Sequence, residues 1–307
     1  MSAKTHHPEV DRPWAIELRG IEPIPDSERH GKPSELFWIW FPANIGVLGI
    51  VYGGILTAAG LNLWQSAVVA LVGSALSFLL VGILSVAGKW GGAPMLTLSR
   101  APFGVRGNLG PAFISWLSLV GWETVSVITA AYALLGLLGM LGLPANSLWT
   151  VVSLLVIALL VVVFGLLGHA TLVIIQQAAT WILGVLTLLV IIFLIPGTQW
   201  SKLLDAPWGA WDSGVLATLS IIMAGTGIGW ANAGADYTRY LPRGSSDRAI
   251  VGWTVLGATI PLCVLIMTGV LLSSRVSDLA SASNPVEVIG DAMPAWMAVP
   301  YLITAIG

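Results

Sequence analysis

The residues with chemical potential gather in three places. In PAFISWLSLVGWETVSVITAAYALLGLLGML, Ser115, Ser118, Trp122, Ser126 and Thr129 recur at three- and four-residue steps, which puts them on one helical face. An indole face can stack on a flat heterocycle, and adjacent hydroxyls can read its polar edge. A polar stripe centred on tryptophan is costly against lipid and natural beside a cavity. Helix-to-helix glue would account for the hydroxyls but not for Trp122. Glu123 follows immediately, and a carboxylate at the centre of a membrane helix costs at least about 2.5 kcal/mol on insertion scales. Burial would favour its neutral form, making it a candidate proton carrier; ionised, it would balance a cation or a basic substrate. A neutral interhelical hydrogen bond is the plainer alternative.

The other two places are rich in helix breakers. WIWFPANIGVLGIVYGG holds Pro42 and Asn44, then Gly46, Gly49, Gly53 and Gly54. Pro removes a backbone donor and Gly weakens a helix, so the segment is expected to bend near Asn44 and free carbonyls for a ligand or cation. Close packing by small residues, with Gly49 and Gly53 four apart, explains the pattern equally well. In LATLSIIMAGTGIGWANAGADYTRYLPRG, Gly225, Gly227, Gly229 and Gly234 surround Trp230 and Asn232. Such a density of glycine argues for a discontinuous helix, the usual binding element of inverted-repeat transporters. Asp236 and Arg239 beyond it read as a solvated boundary anchor, outside any substrate site.

These segments must be held by membrane helices. The chain has 307 residues, 56% hydrophobic and 9% charged, with a mean hydropathy of +0.89; soluble domains carry about 25% charged residues. No Asp, Glu, Lys or Arg occurs from Leu36 to Gly88, or from Thr124 to Ser201. A bilayer crossing needs about 20 apolar residues with all backbone bonds closed internally, so both stretches must fold back as helical hairpins. The expected spans are 37–59, 64–87, 110–141, 147–167, 170–196, 214–234 and 250–273, with an eighth run from Pro294 that reaches only Gly307, as in a truncated chain. Residues 1–35 read as a cytoplasmic tail without a signal peptide, and 36–307 as the transmembrane unit. The inner segments then hold Lys4, Arg12, Arg19, Arg29, Lys32, Lys89, Arg100, Arg106, Arg239, Arg243 and Arg248, against Lys202 and Arg275 outside, in keeping with the positive-inside rule. Trp200, Trp208 and Trp211 suit the outer membrane boundary. The single Cys263 excludes an intrachain disulfide, and with His6, His7, His30 and His169 it forms no metal-ligand spacing. A net charge of −2 without a basic run gives no reason to expect nucleic acid as a partner.

Four stretches, GIEPIPDSER, APMLTLSRAPFGVRGN, VGWETV and GWANAGADYTRYLP, occur in this order and placement. With them the chain resembles the purine and cytosine permeases of the nucleobase:cation symporters. The resemblance implies an all-α membrane fold of the LeuT type: two inverted five-helix repeats, here about 36–196 and from about 214, with the first and sixth helices broken around the site. It implies that Trp122 stacks on a nucleobase, that Ser126 lines the pocket where many relatives carry an amide, and that Gly229 and Trp230 form the opposing wall. Asn44 would assist polar selection. The expected function is a symporter in the plasma membrane, importing cytosine, a purine or a related heterocycle with H⁺ or Na⁺ and no other cofactor. An inactive fragment of such a permease is the alternative; an intramembrane enzyme using Glu123 lacks any partner nucleophile or metal motif.

Overall fold

The computed structural model describes residues 13–306; Lys4, His6, His7 and Arg12 lie outside them. In chain order, α1 (Glu35–Trp40) runs through a tight turn at Pro42–Asn44 and meets α2 (Val47–Ala58) at a bend of 62°. Then come α3 (Leu63–Gly91), the short α4 (Met95–Leu98) and α5 (Arg100–Gly107), α6 (Leu109–Met140), α7 (Ser147–Leu166), α8 (His169–Leu194) and the short α9 (Trp200–Leu204). The apolar helix Trp211–Ile228 contains α10 (Ala217–Met223) between two widened turns. It is followed by α11 (Asp247–Ser273), α12 (Pro285–Asp291) and α13 (Ala298–Ile306). Six helices are long and apolar enough to cross a membrane, and the bent α1–α2 pair makes a seventh. The described chain is all helical, and its spans agree with the expected ones to within a few residues except the sixth, which loses regularity before 234.

Local chemistry sets the helix ends. Asn62 and Gln65 form a reciprocal capping box at the start of α3, and Gln65 also binds both backbone groups of Gly209. Asn146, Ser246 and Asn284 cap α7, α11 and α12. α3 ends on Gly92, whose φ of 66° is the left-handed geometry glycine adopts at no steric cost.

The middle of the bundle is α11, which packs along α2 and α3. Of its most apolar stretch 61% is buried, against 11% for α7, whose leucines and valines face outward as a lipid-facing helix requires. α2 and α11 approach at backbone distance: a Cβ on Gly53 would overlap Ile266 and Val270, and one on Gly269 would overlap Ile50. This is small-residue packing between membrane helices. Trp40, fully buried, takes the edges of Phe78, Trp230 and Tyr237 around it.

Residues 13–34 lie as a strap across one end of the bundle. Glu17 and Gly168 exchange backbone bonds with Leu166 and Ala15, Trp14 donates to the Thr171 hydroxyl at 2.7 Å, and Ile24 donates to the Gly92 carbonyl at 2.8 Å. Arg239 donates to Gly20 and to Tyr240 and pairs with Glu17, which also accepts from Tyr240; His169 stacks on the Tyr240 ring at 4.5 Å. The reading of Asp236 and Arg239 as a solvated anchor is therefore corrected. Arg239 is 8% exposed, and Asp236 accepts a 2.7 Å bond from the Met95 N–H. The strap covers what would otherwise be the solvent side of Arg239. Burial raises the Asp236 carboxyl above its usual range, with Met95 and Arg239 pulling it partly back.

Candidate functional site

A cavity of about 290 Å³ opens where the two interrupted spans face each other. The first span contributes Ala43 to Gly49 and Tyr52, and the sixth contributes Gly225, Thr226, Gly229 and Trp230. α6 supplies Leu119, Trp122, Glu123, Ser126 and Thr129, and α13 closes one side with Ala305 and Ile306. The volume and the mixture of apolar wall with a few polar groups suit a small planar ligand.

The polar stripe divides in two. Trp122, Ser126 and Thr129 reach the cavity, while Ser115 and Ser118 lie beyond it, Ser115 accepting through its backbone from the Asn232 amide at 3.3 Å. The Thr129 hydroxyl returns to its own helix at Val125, whereas Ser126 has no hydrogen-bond partner among the described residues. Glu123 likewise makes no ion pair or interhelical hydrogen bond among them, so the plainer account of it as helix glue has no support in the geometry. The indole nitrogen of Trp122 would lie 3.2 Å from a Cβ added to Gly229: the missing side chain is what lets the ring lie against the sixth span. Trp230 stands behind, edge-on to Trp40 at 5.6 Å. Asn44 commits an amide N–H to the Trp40 carbonyl at 2.7 Å and leaves its side-chain oxygen without a partner among the described residues.

The glycines do three different things. Gly46 is extended, with φ 179°, a conformation open to any residue, and a Cβ there meets nothing within 4 Å; it supplies room at the cavity rather than torsional freedom. Gly49, read as part of a break, is already inside α2, where a Cβ would press on Leu265 at 2.8 Å. Gly225 gives way to the Tyr52 ring, and Gly227 lies outside the cavity wall, packed on the Ser77 and Phe78 backbone.

The break of the sixth span is centred on Thr226, with φ −116° and ψ −110°, between Gly225 and Gly227, two of the glycines expected to interrupt it, and three residues before Gly229 of the expected wall. Its released backbone groups are met from neighbouring helices. The Ser77 hydroxyl on α3 donates to the Met223 carbonyl and accepts from the Ile228 N–H, both at 2.8 Å, and Tyr52 donates to the Gly225 carbonyl at 2.7 Å. An interrupted helix at membrane depth persists only when such partners exist. Tyr52, Ser77 and Thr226 were missed because nothing in their own segments marks them. The signal is a partner 146 to 173 residues away.

Residues 23–307 match the profile of a family described as permease for cytosine/purines, uracil, thiamine, allantoin. The chain belongs to that family. Among its relatives, a putative purine-cytosine permease of Bacillus subtilis, YxlA, is 29% identical over 90% of this chain, and the purine-cytosine permease FCY21 of Saccharomyces cerevisiae is 26% identical over 92%. The chain spans 58% and 50% of their respective lengths. The fold is that of Mhp1, a nucleobase-cation-symport-1 family transporter of the LeuT type, in a closed conformation with bromovinylhydantoin bound: TM-score 0.76 at 20% identity, covering 95% of this chain and 65% of that one. The inward-facing conformation of Mhp1 gives 0.69. In this family member the broken first and sixth spans, expected from the resemblance, are both present and both line the cavity. No cluster of three His, Cys, Asp or Glu able to hold a metal occurs among the described residues.

Proposed function

We propose that this chain is the core of a symporter that moves a nucleobase or related flat heterocycle, with H⁺ or Na⁺, by alternating access in the plasma membrane, with the strap on the cytoplasmic side. The carrying observation is the cavity itself: two interrupted helices face Trp122 and a polar row in which Glu123, the Ser126 hydroxyl and the Asn44 side-chain oxygen have no hydrogen-bond or ion-pair partner among the described residues. Trp122 supplies the stacking surface. The Asn44 oxygen accepts from a ring N–H and the Ser126 hydroxyl donates or accepts beside it, as the edge of a base requires. Gly229 and Trp230 form the opposite wall. Glu123, lining the cavity with no counter-ion among the described residues, carries the coupled proton or balances the charge of the cation or substrate. The repeats at about 36–196 and from about 214 would rock about this site, as inverted-repeat transporters do.

The test is uptake of labelled cytosine, adenine, hypoxanthine, uracil and allantoin by cells expressing the protein, with and without Na⁺ and with a protonophore. Trp122→Ala should abolish uptake while leaving membrane insertion intact. Uptake at the unsubstituted rate would overturn the assignment.

A further inference from the structure

Outside the cavity, the described surface holds a second concave feature. α3 and α11 are in backbone contact at Gly82, where a Cβ would lie 3.0 Å from the Val251 Cα, and beside this crossing they leave an open groove of about 540 Å³. Its walls are Leu79 of α3 and Val251, Gly252, Val255 and Leu256 of α11, and Leu79 and Leu256 are exposed on the outer surface of the bundle. At the strap end the groove is bounded by Asp247 and Arg248.

The charges at that end do not cancel. Asp247 is engaged by Lys89, a side chain 3% exposed that also donates to the Ser245 carbonyl and sits 4.3 Å from the Trp90 ring. Arg248 is exposed and has no ion pair or hydrogen bond among the described residues, so the mouth carries one uncompensated positive charge. Trp90, half exposed, stands at the same level, where an amphipathic ring favours lipid headgroups. From Arg248 to Leu256 the groove follows about 12 Å of helix, all of it apolar below the charged mouth.

We propose that this groove binds an anionic phospholipid, one acyl chain lying along Leu79, Val255 and Leu256 and the headgroup phosphate paired with Arg248. A wall without the arginine would take any acyl chain. The arginine adds selection for a headgroup whose net charge is negative, and a guanidinium can meet two phosphate oxygens at once. The groove is separate from the cavity, and its occupant is independent of what the cavity transports.

The protein purified in detergent, with phosphatidylglycerol or phosphatidylcholine added, would be followed by native mass spectrometry. Phosphatidylglycerol should be retained about fivefold better, the weight of one arginine at an anionic surface. Arg248→Gln should bring the two lipids to parity, and Arg248→Lys should keep most of the preference. Gly252→Leu should lower retention of both lipids, since a Cβ at Gly252 meets nothing within 4 Å and the added side chain fills the groove without disturbing the packing. Equal retention of the two lipids by the unsubstituted protein, a preference unchanged in Arg248→Gln, or retention of both lipids unchanged in Gly252→Leu would overturn the proposal. So would displacement of the lipid by inorganic phosphate alone, which would make the mouth a simple anion site. The readout is lipid retention, so this outcome stands apart from any result on uptake.

Discussion

The Tyr52 hydroxyl of α2 donates a 2.7 Å hydrogen bond to the carbonyl of Gly225, joining the half-helix after the first break to the widened turn that begins the second. A Cβ on Gly225 would collide with the same phenol, so the two residues are fitted to one another. Tyr52→Phe removes the donor and leaves the carbonyl to the cavity, a loss of about 1 kcal/mol. We expect roughly a fivefold weaker apparent substrate affinity with normal surface expression, and a smaller effect of Gly225→Ala in that background than on its own, because the overlap with the hydroxyl is gone while the ring carbon still lies 2.9 Å from the added Cβ. Additive losses in a double-mutant cycle would show that the contact does not act as a unit.

Ser77 performs the matching task from α3. Ser77→Ala takes the side-chain partner from the Ile228 N–H and the Met223 carbonyl together, both in part-buried hydrogen bonds, at up to about 1–3 kcal/mol for each group left unsatisfied away from water. Protein yield and thermal stability in detergent should fall, whereas Ser77→Thr, which keeps the hydroxyl, should retain part of both. Equal stability of Ser77→Ala and the unsubstituted protein would mean that the break is sustained some other way.

Gly46 and Gly53 should respond in opposite senses although they are seven residues apart in one span. Gly46→Leu projects into the cavity and should abolish uptake in a protein that inserts and resists protease normally. Gly53→Leu would force α2 away from α11, an overpacking penalty of at least about 1–3 kcal/mol, and should reduce the amount of folded protein. Paired measurements of uptake and protease resistance separate the two.

Glu123→Gln keeps the size and removes the charge. If the carboxylate carries the proton or balances the cation, the variant should still bind substrate, yet its uptake should lose dependence on pH or on Na⁺. An unaltered dependence in both would remove Glu123 from the coupling role.

Asp236 gives a pH dependence of the opposite sign to a salt-bridged carboxylate. Its folded-state value is raised by burial, so the folded chain holds the proton more tightly than the unfolded chain. The group's contribution is most favourable below its ordinary value of 3.8 and is lost as pH rises through the raised value. Asp236→Asn keeps an acceptor for the Met95 N–H without the charge. Relative to the unsubstituted protein it should become progressively more stable as pH is raised from acid to neutral, read as the apparent Tm in detergent.

Much of this architecture is legible in one sequence because lipid leaves few alternatives. Apolar runs of the right length gave the spans to within a few residues, and the three- and four-residue spacing placed Trp122, Ser126 and Thr129 on the face that lines the cavity. Glycine content alone was ambiguous: Gly46 makes space, Gly53 makes a helix crossing, and Gly227 packs on Ser77, with nothing in the local pattern to separate them. Of the four glycines around Trp230 and Asn232, the break fell between Gly225 and Gly227, at Thr226, where Ser77 and Tyr52, residues of other helices, meet the freed backbone groups. Arg239 was misread for the same reason, since its partners lie in the strap.

The strap also imposes an order on manufacture. Arg239 binds the Gly20 carbonyl across 219 residues of chain, so the first described segment to leave the ribosome waits for nearly the last of the sixth span's loop before that end of the bundle can be sealed. At about 5–20 residues per second the wait is roughly 10–45 s. During it, Glu17 and Tyr240 have not yet met, and the growing membrane bundle must keep its unfinished end open to whatever waits there.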